Sequence, residues 1–306
     1  MITSVDAWAA LQRLLAALAA QYSAEFRAAV LAEGLGREPV GVLLLAANVD
    51  LDPISAAGML ACLPYFAETA FTTRLQRLRA GGWLDPHPAG YVLSPRGRAA
   101  AEAMHGVVRT RLAALAPMPP ADLERLARLV ERLFDLCRLS PAVPDRGCVT
   151  LSGNAQPTRE PGAPPLARAA RAIEALSNFR CDAHRAAWQP TEASGPAWET
   201  LTWLWQGRAN SPLSLHAWAE KQPFPRGWSA ADYAGFLVDL QAMGWVEAGP
   251  DEAWSLTPPG WAAREAAEAD TDARFYAPWA AFTPAELDEL SSRAAVVAEA
   301  LSAKPA

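Results

Sequence analysis

Four groups of residues in this chain carry side chains that could do chemistry. Thr69, Thr72, Thr73, Arg74, Arg77 and Arg79 line up hydroxyls and guanidiniums within one short stretch. Such donors suit the phosphates and base edges of duplex DNA. Trp188, Trp198, Trp203, Trp205 and Trp218 crowd a second region. Their flat rings and N–H groups could clasp a small aromatic or apolar ligand, although aromatics at helical spacing are more often core. Cys181 and His184 stand one helical turn apart, which is half a metal site, and His105 and His216 are isolated. No metal is expected from so few ligands. Glu265, Glu268, Asp270 and Asp272 offer paired carboxylates. A run of this kind at the junction of two helices is more often a solvated face, capped here by Thr271 or Asp272. No Ser-His-Asp arrangement, P-loop or G-x-G-x-x-G accompanies them. We therefore expect no catalytic residue and no cofactor, and the chain is not expected to be an enzyme.

The elements that must position these groups occur twice. Leu78, Gly82-Trp83-Leu84 and Gly90-Tyr91-Val92-Leu93-Ser94-Pro95-Arg96-Gly97 return as Leu240, Gly244-Trp245-Val246 and Ala253-Trp254-Ser255-Leu256-Thr257-Pro258-Pro259-Gly260. Glu25–Val30 aligns with Ala183–Trp188 at an offset of 158, Leu63–Phe66 with Gln222–Pro225 at 159, and Pro120–Leu123 with Pro284–Leu287 at 164. The offset only grows, and its jumps fall in Gly/Pro-rich stretches, where loops accept insertions. The period is too long for a solenoid and has the size of a duplicated domain.

Each copy predicts the same order of elements. A long helix (5–33; 166–188) precedes an apolar helix (Val40 to Ala47; Trp198 to Trp205), then a short helix from Ser55 or Ser214. A helix over Ala67 to Ala80, or Ser229 to Met243, leads into a strand pair: Trp83-Leu84 with Tyr91–Leu93, and Trp245-Val246 with Trp254–Leu256. Ser94-Pro95 and Thr257-Pro258 then place an N-cap hydroxyl before a proline at the first helical position. Two more helices close each copy, the last starting near Pro120 or Pro284. Residues 141–165, rich in Pro and Gly without apolar periodicity, form the linker.

With Leu-x-x-x-Gly-Trp entering the hairpin and Leu-(Ser/Thr)-Pro-x-Gly leaving it, each half resembles a MarR-type winged helix-turn-helix domain. The resemblance covers most of both halves. It implies a mainly α chain of two tandem winged helix-turn-helix domains, 1–140 and 166–306, each with a small β-hairpin wing. They would sit as a pseudo-two-fold dimer within one monomeric chain. It further implies a ligand-responsive, DNA-binding transcriptional regulator. The DNA-facing residues would be Thr69, Thr72, Thr73, Arg74 and Arg77 of the first lobe, with a small apolar or aromatic ligand held between lobes by Trp188, Trp198, Trp203, Trp205 and Trp218. Winged helices also serve other purposes. The alternative is a protein that no longer binds DNA and instead takes such a ligand, or a protein partner.

Charge separates the two copies. Residues 1–140 carry 14 Arg against 13 acids, whereas residues 166–306 carry 11 Lys and Arg against 18 acids and hold ten of the 12 Trp. Opposite Thr69, Thr72, Thr73, Arg74, Arg77 and Arg79 the second copy has Ala231, Ala234, Gly235, Phe236, Asp239 and Gln241. Its wing adds Glu247, Asp251 and Glu252, against only Asp85 and His87 in the first. DNA binding depends on neutralising phosphates, so only the first copy suits it. Met1 to Ala20 reads as an amphipathic helix rather than a signal peptide, and no apolar run is long enough to span a membrane. Cys62, Cys137, Cys148 and Cys181 show no C-x-x-C spacing and are expected to be reduced thiols of a cytoplasmic protein.

Overall fold

Hydroxyl caps and prolines set most of the helix starts. Ser55, Ser94, Ser194, Ser211, Ser229, Thr257 and Thr283 each accept a backbone N–H from the first turn of the helix they open, satisfying a donor that has no partner within the helix. The structure is a computed structural model that describes residues 2–48, 53–143, 162–250 and 253–303. Most of the predicted linker, and Cys148 with it, lies outside the described residues.

The first half runs α1 (Ser4–Ala32), α2 (Arg37–Asn48), α3 (Ala56–Cys62), α4 (Glu68–Ala80), β1 (Leu84–His87), β2 (Gly90–Leu93), α5 (Pro95–Ala113) and α6 (Pro120–Leu139). The second runs α7 (Pro165–Trp188), α8 (Gly195–Trp205), α9 (Pro212–Glu220), α10 (Ala230–Ala242), β3 (Val246–Ala248), β4 (Trp254–Leu256), α11 (Pro258–Tyr276) and α12 (Pro284–Ser302). The chain is thus mainly helical, with two small antiparallel hairpins, β1–β2 and β3–β4.

Each hairpin is fastened in the same way. Trp83 carbonyl accepts from Ser94 N–H at 3.1 Å and Trp245 carbonyl from Thr257 N–H at 3.0 Å. The hydroxyls of Ser94 and Thr257 donate to the carbonyls of Gly82 and Gly244 at 2.7 and 2.6 Å. The glycine of each Leu-(Ser/Thr)-Pro-x-Gly motif follows from this packing. A Cβ on Gly97 would stand 2.1 Å from Trp83 carbonyl oxygen, and one on Gly260 2.0 Å from that of Trp245. Only a residue without a side chain fits. Ile54 N–H bonds to Tyr91 carbonyl, and Trp254 N–H to Asn210 carbonyl, both at 2.7 Å.

Two details differ from the sequence expectation. Ser214 does not open α9. Ser211 is its cap, and Ser214 closes a capping box as the third helical residue. The match of Ser55 with Ser211 also lowers the offset to 156 between second and third helices, so it does not simply grow.

Hydrophobic burial divides the molecule into a stem and two heads. In the stem α1 packs along α12 and α6 along α7, while α5 meets α1 and α11 meets α7. Leu11, Leu14 and Leu18 share this interior with Leu126, Val130, Ile173, Leu176, Leu290 and Val297. Trp8 meets Phe275 edge-on at 5.0 Å. In the stem both halves therefore share one core. Ion pairs follow the same seams: Arg168 with Glu131 and Glu124, Arg125 with Glu289, and Arg293 with Asp122. The first head is centred on Leu43, Ile54, Met59, Phe71, Leu75 and Leu78, and the second on Trp198, Leu201, Leu215, Tyr233, Leu237 and Leu240. Among the described residues, no helix is long and apolar enough to cross a membrane.

Candidate nucleic-acid interface

Helices α4 and α10 hold equivalent places in the two heads, and their inner faces agree. Phe71, Leu75 and Leu78 are buried on α4, as are Tyr233, Leu237 and Leu240 on α10, at the helical spacing expected. Their outer faces have opposite chemistry. On α4 Thr69, Thr72, Thr73, Arg77 and Arg79 are exposed beside a single acid, Glu68. On α10 the exposed residues include Ala231, Asp232, Gly235, Val238, Asp239 and Gln241, with no cation. Ser229 binds Asp232 in a capping box and lowers its carboxyl below the usual range. The first hairpin exposes Asp85 and His87, and the second Glu247. Asp251 and Glu252 lie outside the described residues.

Arg74 departs from the expected exposed row. It is 3% exposed, its guanidinium donates to Pro225 carbonyl at 2.6 Å, and it lies 5.6 Å from the centre of the Phe66 ring. The cause is a loop of the other half. Residues 222–229 connect α9 to α10 and fold over the start of α4. Ala67, the N-cap of α4, donates its N–H to Arg226 carbonyl at 2.9 Å. Trp228 Nε1 donates to Tyr65 carbonyl at 2.9 Å, and Trp188 Nε1 to Tyr65 hydroxyl at 3.2 Å. Arg226 forms a two-pronged pair with Glu199 and stacks 4.5 Å from the Phe66 ring centre. Burial pushes the Glu199 carboxyl up, against the pull of Arg226.

This contact limits how the two heads can meet DNA. Ala67 is hydrogen-bonded to Arg226, which is three residues before Ser229, the cap of α10. Chain reach then holds the two caps within about 18 Å of each other. Paired recognition helices that read successive major grooves sit roughly 34 Å apart, with their N-terminal residues on the bases. In this arrangement α4 and α10 cannot enter successive grooves together.

The tryptophans pack in the core of the second head, with Trp188 also reaching Tyr65 of the first. Trp188 and Trp198 stack at 5.8 Å with planes 12° apart, and Trp203 packs on Tyr233. Trp205 pairs with Trp261, and half-buried Trp218 lies under Arg208. Trp188, one of the five expected ligand residues, bonds to the first head through Tyr65. Of this second set the structure buries Trp188, Trp198 and Trp203 in one cluster with Trp218 packed against it, while Trp205 shares the Arg264 guanidinium with Trp198.

His184 and the acidic run meet behind Trp198. Trp198 Nε1 donates to His184 Nε2 at 3.1 Å. Thr271 donates its own hydroxyl proton to Ala267 carbonyl at 2.6 Å, so its oxygen accepts from His184 Nδ1 at 3.1 Å. That pattern requires the neutral ring. Burial first, then the positive charge of Arg264, push His184 down to about 4, against the opposite pull of Glu268. Burial alone would raise Glu268, but Arg264, His184 and Arg180 together lower it. The acids do not mark a helix junction: α11 is continuous from Pro258 to Tyr276, and Thr271 is buried within it rather than capping. Asp270 pairs with Arg274, and Asp272 with Arg180. Pairing along α11 and across to α7 stands where a break between helices was expected. Cys137 and Cys181 carry free thiols, and the described residues contain no group of three or more His, Cys, Asp or Glu that could hold a metal ion.

Sequence reading missed Tyr65, Glu199, Arg226 and Gly227, which build the contact between heads. The clue available was Pro223-Phe224-Pro225-Arg226-Gly227, a stiff loop carrying one cation where the first copy has none.

A helix pair whose second member lies against a short hairpin, present in each half, defines a helix-turn-helix protein. A helix-turn-helix family matches residues 149–306, more than half of the chain, and the chain belongs to that family. Membership suggests a DNA-binding regulator in general terms. No curated protein and no solved structure gives a match to this chain.

Proposed function

We propose that the chain is a MarR-like transcriptional regulator made of two tandem winged helix-turn-helix units, 1–140 and 166–306, that work as a pseudo-dimer in one monomeric cytoplasmic chain. Duplex DNA is met by the first head alone, through Thr69, Thr72, Thr73 and Arg77 with Arg79 beside them, and binding responds to a small ligand. The observation that carries this reading is the contrast between α4, with its exposed hydroxyls and guanidiniums, and α10, with exposed acids and no cation. Phosphate neutralisation favours one face and opposes the other. The matching caps, hairpins and glycine contacts of the two halves support descent from one duplicated unit.

A second reading, favoured by the burial of Arg74, is a protein that kept this body and lost DNA. Duplex binding followed by fluorescence anisotropy at low salt separates the two. The Arg77→Ala, Arg79→Ala double variant should bind about tenfold or more weakly than the parent. Equal binding, or no binding by the parent, favours the second reading.

A further inference from the structure

The start of α4 is covered by the other half of the molecule. Its N-cap is Ala67, which has no side-chain oxygen to offer the first turn. The counterpart cap, Ser229 of α10, closes a full capping box with Asp232. What lies over α4 instead is residues 223–227 of the second half. Arg226 carbonyl takes the Ala67 N–H at 2.9 Å, and Pro225 carbonyl takes the Arg74 guanidinium at 2.6 Å. Gly227, at φ +81, lies so close that a Cβ there would stand 2.7 Å from the Ala70 Cβ. Phe224 rests on α2, where a Cβ on Gly41 would stand 2.0 Å from its ring.

The same segment is fixed to its own head at two points. Arg226 grips Glu199 of α8 through two nitrogens at 2.9 and 2.8 Å, and both side chains are mostly buried. His216 Nδ1 donates to Trp228 carbonyl at 2.9 Å, and Trp228 meets Phe236 edge-on at 5.2 Å. Residues 223–227 thus form a strap, rooted in the second head and laid across α2 and α4 of the first. A recognition helix puts its N-terminal residues on base edges, and phosphates favour the same end. The strap places two carbonyl oxygens there, which compete with DNA oxygens for the same donors. Thr69, Thr73 and Arg77 lie along the outer edge of the strap and stay exposed while it is closed. The Ala67 and Ala70 side of the first turn does not.

We propose that residues 223–227 are an autoinhibitory strap, latched by Arg226 on Glu199, whose closure over α4 weakens the grip of the first head on duplex DNA. The strap's role rests on the DNA reading above. Opening the latch uncovers the start of α4 for the duplex. Linkage makes the effect reciprocal: what loosens the strap tightens DNA binding, and bound DNA loosens the strap by the same factor.

The test combines fluorescence anisotropy on a labelled duplex with hydrogen exchange over residues 222–229, for the full chain and two variants. Arg226→Ala removes the latch, and Phe224→Ala removes the seat on α2 without changing charge. Both should speed exchange of the strap. Both should also tighten duplex binding about fivefold to tenfold, as expected where the open form is a minor population. For Arg226→Ala that gain runs against the loss of a cation, which by itself weakens DNA binding. Duplex added to the parent should likewise speed exchange over residues 222–229. Faster exchange in Phe224→Ala with equal or weaker DNA binding overturns the strap and leaves the DNA reading standing. Unchanged exchange in both variants overturns the latch and the seat. No duplex binding by the parent or either variant overturns the DNA reading and the strap together, whereas binding by the variants alone supports both.

Discussion

Arg74 and Arg77 look alike in sequence: both are arginines on one helix, three residues apart. Their different fates depend on Pro225, 151 positions away, whose carbonyl takes the Arg74 guanidinium into the contact between heads. No local pattern encodes that partner, and for this reason the exposed row on α4 was legible only in part. His184 shows the reverse, a residue whose spacing from Cys181 in sequence says nothing of its saturated environment beside Trp198 and Thr271. Held neutral near Trp198 and Thr271, it refuses a proton that the unfolded chain accepts at its ordinary value of 6.5. The sign follows from linkage. Stability from this group is complete above pH 6.5 and is lost as pH falls toward about 4. Between pH 7 and pH 5 the loss should be about 2 kcal/mol in urea unfolding. Gln at position 184 can accept from Trp198 and donate to Thr271 without titrating, so His184→Gln should flatten the dependence. An unchanged slope in that variant would contradict the assignment of the neutral ring.

Element starts were the most readable features, because a hydroxyl cap or a proline acts locally. Ser55, Ser94, Ser229 and Thr257 open helices where expected, and the second strand of each hairpin covers the expected residues, whereas the first strands start one residue later than expected, at Leu84 and Val246, and run on to His87 and Ala248. Errors came where one local signal resembled another. Ser211 and Ser214 both suit a helix start, and the capping box uses both. The acids near Asp270 resembled a helix junction because their arginine partners, Arg180 among them, lie on another helix or one turn away. The glycines that follow Ser94-Pro95 and Thr257-Pro258 give a sharper prediction. Gly97→Ala and Gly260→Ala should each destabilise the protein by about 1–3 kcal/mol, since a methyl must displace backbone rather than a mobile side chain. Similar losses in urea unfolding are expected because the two contacts differ by only 0.1 Å. A harmless substitution at either site would show that the hairpin attachment is looser than described.

At the scale of the molecule the repeated pattern was visible in sequence, but the sharing of its interior was not. Apolar periodicity identifies a buried face without saying which half covers it. Here α1 lies on α12 and α7 on α6, so the stem belongs to both halves. Leu14→Ala, in the first half, should therefore destabilise by about 2–5 kcal/mol. Trp fluorescence should report that loss, although ten of the 12 Trp lie in the second half. A fluorescence midpoint that stays in place would mean the halves unfold independently.

The most direct measurement is the salt dependence of duplex binding by the full chain and by the Arg77→Ala, Arg79→Ala variant. With two to four phosphates neutralised by one head, the logarithm of affinity should fall with the logarithm of salt at a slope of about −2 to −4, and the variant should flatten that slope by roughly two. A slope that the variant leaves unchanged, or a parent chain with no affinity for duplex DNA at low salt, would contradict a first head that faces DNA alone.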